Sequence, residues 1–109
     1  MKRALVLALC LPNLLWADDW RMLSGEEITE ALTNKHLVFT SAEQWFYASG
    51  RTLYNAGQDS WGYWAVRDDR YCSQWPPSDR WDCYDVSVHG MVVRFIADDG
   101  STSDGVYAR

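Results

Sequence analysis

The side chains able to do covalent or acid–base chemistry in this chain are few. They are Cys10, Cys72 and Cys83, His36 and His89, and acids clustered at Asp79, Asp82 and Asp85 and between Asp98 and Asp104. Nucleophilic catalysis needs a nucleophile, a base and a group that orients the base; carboxylate catalysis needs two acids in unequal environments. Neither histidine has a partner at local spacing, since His36 opens an extended run and His89 sits beside Gly90 in a turn. Asp79 lies in the Pro76-Pro77 loop, where a turn former is expected, and Asp85 is claimed by arginines in the register derived below. The run Asp98-Asp99-Gly100-Ser101-Thr102-Ser103-Asp104 lacks the alternating acids and terminal Glu of a calcium loop, so acid-rich turns are expected there. No catalytic residue, metal ligand or cofactor is assigned. Cys72 and Cys83 are too far apart for a Cys-x-x-Cys redox pair, and no second pair exists to complete a zinc site.

The compartment decides what those two cysteines do. Met1, Lys2 and Arg3 form a basic start, an apolar run follows, and Ala17 precedes Asp18-Asp19, so residues 1–17 read as a signal peptide and 18–109 as a single β-rich exported domain. Pro12 interrupts the apolar stretch, which is too short for a stable membrane anchor. Leu9 stands before Cys10 where a lipid-attachment site carries a small residue. A periplasmic or extracellular compartment is oxidising, and a Cys72–Cys83 disulfide is the expectation. Without residues 1–17 the chain keeps eight basic and fifteen acidic residues, a charge that disfavours nucleic acid and could steer a basic envelope protein toward it.

The elements that must position these residues are one helix and a series of strands. Ser24-Gly25-Glu26-Glu27 is a capping box, and Ile28, Ala31 and Leu32 follow at helical spacing before Asn34-Lys35. Beyond them the period becomes two. Aromatic and β-branched runs at 36–40, 44–48, 51–56, 61–67, 70–75, 81–88, 91–97 and 105–108 are separated by turn formers, among them Asp68-Asp69, His89-Gly90 and Asp104-Gly105. The short loops make sequence neighbours antiparallel neighbours. The fold class is therefore mainly β, an antiparallel meander of about eight short strands forming a small barrel or curled sheet, with one short N-terminal helix.

Register follows from the turns. A two-residue His89-Gly90 turn pairs Val88 with Met91, Val86 with Val93 and Tyr84 with Phe95, and sets Asp85 against Arg94 on the other face. Cys72 opposite Cys83 places Tyr71 against Tyr84 and Arg70 against Asp85. The predicted core face is Trp64, Val66, Tyr71, Tyr84, Val86, Val88, Met91, Val93 and Phe95; Arg70, Asp85 and Arg94 form a structural charge row outside. Trp61, Tyr63 and Trp81 also point outward. They are either a contact surface for a partner or ligand, or are covered by the helix or the segment around Trp20 and Met22.

The run Gly62-Tyr63-Trp64-Ala65-Val66, the run Arg70-Tyr71-Cys72-Ser73-Gln74-Trp75-Pro76-Pro77 and the later Trp81-Asp82-Cys83-Tyr84-Asp85-Val86 resemble a family of small exported proteobacterial proteins known as a domain of unknown function. The resemblance covers roughly residues 24–108, implies a secreted β-rich module and brings no catalytic residues. A weaker resemblance is to the periplasmic inhibitors of c-type lysozyme, whose loop carries Ser-Gly, two residues and Tyr; here Arg51-Thr52-Leu53 separate Ser49-Gly50 from Tyr54, one residue more. The functional expectation is a non-enzymatic exported β-module that binds a partner protein or a small ligand. A lysozyme-type inhibitor and a small hydrolase are the alternatives.

Overall fold

The computed structural model describes residues 19–109; the signal peptide read at 1–17 and the question of lipid at Cys10 fall outside them. Helix α1 (Gly25–Leu32) starts where the capping box places it. The Glu27 amide donates to Ser24 Oγ and the Ser24 amide to Glu27 Oε1, at 3.3 and 2.9 Å. That backbone N–H, with Arg21, holds the Glu27 carboxyl below its ordinary range. Ile28 and Leu32 are fully buried on the helix face that meets the sheet.

Nine strands follow the chain: β1 (Arg21–Met22), β2 (Lys35–Val38), β3 (Glu43–Phe46), β4 (Arg51–Asn55), β5 (Asp59–Arg67), β6 (Arg70–Gln74), β7 (Trp81–His89), β8 (Val92–Ile96) and β9 (Thr102–Tyr107). From β2 to β9 each pairs antiparallel with the next, and β9 returns to β2 through Val106–Val38 and Tyr107–Leu37. The result is a closed eight-stranded barrel, with β1 added along β7 beside Ser87 and Val88. Closure leaves the eight strands no free edge.

The β5–β6–β7 ladder has the predicted register, including Val66–Tyr71, Trp64–Ser73, Tyr71–Tyr84 and Cys72–Cys83. Asp68 and Asp69 both have positive φ, as a type I′ turn requires. Asp69 also accepts the Gly25 amide at 2.6 Å, fastening the start of α1 to this turn. The Cys72–Cys83 disulfide is formed, its Cα atoms 4.0 Å apart.

The next hairpin departs from expectation. Gly90, with φ of 61°, is the first central residue of the turn and Met91 the second, so His89 pairs with Val92, Val88 with Val93 and Val86 with Phe95. Glycine supplies the positive φ at the first central position, which a His89-Gly90 turn would give to histidine. The inward parity survives this shift, but Met91 moves from the predicted core to the turn tip, where it is 58% exposed. Asp85 faces Ile96 and Arg94 faces Ser87, so the Arg70–Asp85–Arg94 row is broken. Arg70 keeps its expected bond to Asp85, at 3.0 Å, and adds one to Asp98 at 2.8 Å, while Arg94 leaves the row and binds both carboxylate oxygens of Asp104.

A second correction concerns Asp104-Gly105, read as a turn and found inside β9. A Cβ on Gly105 would stand 3.0 Å from the Phe39 ring and 3.1 Å from Leu37. The glycine is there for close packing. Gly62 does the same for Trp75, whose ring would lie 2.5 Å from an added Cβ.

Candidate functional site

The helix covers one end of the barrel, beside the turns 68–69 and 90–91, and fills it with Ile28, Leu32, Leu37, Val86 and Val93. At the opposite end, among the loops after β2, β4, β6 and β8, the interior stays open as a cavity of about 820 Å³. Its walls carry the rings of Phe39, Tyr54, Trp75, Tyr84 and Phe95. Gly105 and Gly62 make room for the Phe39 and Trp75 rings. Trp75 meets Tyr54 edge-on at 5.9 Å and donates its indole N–H to Ser73 Oγ at 3.2 Å. A glycine in one strand thus shapes a ring from another into the cavity wall.

The deeper cavity surface is polar. Gln44 Nε2 donates to Thr52 Oγ1 and Tyr71 Oη at 3.0 and 3.1 Å, and Thr52 Oγ1 donates to the Trp45 carbonyl at 2.7 Å. Burial pushes the Tyr71 hydroxyl up to about 12, against the opposing effect of its hydrogen bonds with Ser73 and Gln44, so it stays neutral near pH 7. Tyr84, nearer the rim, is also raised, by burial and then by Asp82. Asp104 stands at the rim with its side chain on the outer face, where Arg94 holds its carboxyl below the ordinary range.

Of the outward residues singled out from sequence, Trp61, Tyr63 and Trp81 do share the outer wall. Arg51, Tyr63, Gln74 and Trp81 form one cross-strand row over four strands. Among the described residues, the groups that pack on these rings are arginines and Tyr47, not Trp20 or Met22. The Arg51 guanidinium sits 4.7 Å from the Trp61 ring and 5.6 Å from Tyr63, and Tyr47 stacks on Trp61. Arg67 lies 4.3 Å over Trp81. Trp61 and Tyr63 remain 46% and 43% exposed. Trp20 covers Arg94 instead, at 3.8 Å.

His36 Nε2 lies 2.7 Å from Glu43 Oε1 and its ring stacks on Trp45, whereas His89 packs against Trp20. The His36–Glu43 pair is a base with an orienting carboxylate, on the outer wall. Among the described residues no hydroxyl or thiol is hydrogen-bonded to it, and no group of three or more His, Cys, Asp or Glu side chains could hold a metal. The cavity itself escaped the sequence reading because Gln44, Ser60 and Ser73 stand at inward positions where an apolar alternation expects core residues. Gln44 in a Glu43–Phe46 strand was the available signal: a polar residue in phase with Phe46.

The chain matches no family model, no curated protein and no solved structure.

Proposed function

We propose that this chain is a non-enzymatic exported binding module that holds a small ligand in the open mouth of its barrel. One observation carries the reading: the same barrel is sealed by a helix at one end and left open at the other, over a cavity walled by aromatic rings and floored by hydrogen-bonding groups. Concave, largely apolar sites with a few fixed polar groups are the usual form of small-molecule sites. The disulfide between adjacent strands is consistent with export.

A protein partner on the outer wall is the second reading, favoured by the exposure of Trp61 and Tyr63 beside Arg51. Arginine and aromatic residues are enriched where proteins meet. The overall acidity points to a basic partner such as a lysozyme, but Arg51 and Arg67 make the strip itself locally basic, which favours an acidic patch opposite. A hydrolase would need a nucleophile at His36.

Titration of phenol into the protein, followed by amide and indole resonances, separates the two sites. Shifts centred on Trp75, Tyr84 and Phe95 are expected; shifts confined to Trp61 and Tyr63 would transfer the binding role to the outer wall.

A further inference from the structure

We infer that the cavity selects an uncharged ring compound bearing a hydrogen-bond donor, seated with that donor on Gln44 Oε1; this rests on the ligand-binding reading above. Thr52 fixes which way the Gln44 amide points. Its hydroxyl proton is committed to the Trp45 carbonyl, so Thr52 Oγ1 can only accept, and the amide nitrogen must face it. The nitrogen's two hydrogens are then used, one on Thr52 Oγ1 and one on Tyr71 Oη. Oε1 is left as an acceptor, and no described residue donates to it.

Gln44 is 6% exposed, and no buried side-chain polar atom among the described residues lacks a partner. Oε1 is therefore not sealed in the wall: it opens onto the cavity that Gln44 lines. A ligand covering it without a donor would strip it of water and return nothing, which is how a polar site rejects a close analogue. The other requirements follow from the walls. Six aromatic rings, Tyr71 among them, offer faces and edges to a ring compound. No basic side chain lines the cavity to receive an anion. The one acid at its rim, Asp104, turns its carboxylate to Arg94 on the outer face, away from the cavity.

Two probe pairs differing only in the donor test this in the purified protein: indole against 1-methylindole, and phenol against anisole. Indole-3-carboxylate serves as the charged control, with affinities read from the Trp75 and Tyr84 resonances. The donor-bearing member of each pair is expected to bind about tenfold more tightly, the scale of one well-placed buried hydrogen bond. Indole-3-carboxylate should bind more weakly than indole. In Gln44→Met the preference within each pair should fall to about twofold or less while 1-methylindole binding is retained. Should that variant not fold, the wild-type pairs decide alone. Equal affinities within both pairs, or a carboxylate bound as tightly as indole, overturn the inference and leave the ligand site standing. Absence of any shift at Trp75 and Tyr84 with every probe overturns both.

Discussion

The two ends of the barrel are built from the same strands and differ in what those strands turn inward. Toward the helix the inward residues are Phe46 on β3, Trp64 and Val66 on β5, Tyr71 on β6 and Val86 and Val88 on β7. Toward the mouth the same strands turn in Gln44, Ser60, Ser73 and Tyr84. The closed half is a packed core in which Ile28, Leu32, Leu37, Val86 and Val93 are fully buried. The open half trades that burial for hydrogen-bonding groups and space. Burial is thus concentrated at one end and the proposed ligand site lies at the other, with Tyr71 and Phe95 as the layer between, their rings 5.1 Å apart.

Substitutions at the two ends should therefore differ in kind. The largest effect is expected from Leu32→Ala, which hollows the closed end: a loss of about 2–5 kcal/mol in urea unfolding, with the mouth resonances of the folded fraction unchanged. Gly62→Ala attacks the mouth wall, because the new methyl meets both the Trp75 ring and the Gln74 carbonyl. A loss of about 1–3 kcal/mol is expected, together with a changed Trp75 environment and weakened phenol binding, so that here stability and binding fall together. A variant that binds normally would show that the Trp75 position does not shape the site.

Ser24→Ala removes the helix cap and should cost about 1 kcal/mol by the same denaturant measurement, without altering the mouth. The smallest effect belongs to the rim. The folded-state pKa of Asp104 is depressed by Arg94, so the pair's contribution is present above the ordinary Asp value and is lost as pH falls through the lower folded one. For so exposed a pair it is on the order of 0.2–1 kcal/mol. Asp104→Asn should flatten the stability profile below about pH 4 and leave it parallel to wild type above that. A profile unchanged in acid would mean that the pair contributes nothing.

Much of the closed end was legible because its signals are local. The Ser24–Glu27 box, the Asp68-Asp69 turn and the cross-strand cysteines each specify geometry within a few residues or one ladder, and the helix, the barrel class and the β5–β7 register follow. The mouth was not, because its residues have meaning only across strands. Gly105 looks like a turn until Phe39, distant in sequence, is seen to fill its missing side chain. Gln44 looks like a break in an apolar pattern until Thr52 and Tyr71 are seen to hold it. The shift at Gly90 is an intermediate case: inward parity was readable, and which residue took the positive φ was not.

The outer wall gives the disulfide two unequal faces. Trp81, Arg67 and the Ala65–Cys72–Cys83 row lie on the same side of the sheet, and the Arg67–Trp81 contact spans that row, leaving Cys72 fully buried and Cys83 only half so. An attacking thiolate must approach in line with the bond and expel the sulfur on the far side. Approach from the Cys83 side makes Cys72 the leaving group, released as a thiolate within the wall beside the bond it has just left. Proximity favours the return reaction. Exchange with small thiols is therefore biased to reverse itself, and lasting reduction waits on the strands parting.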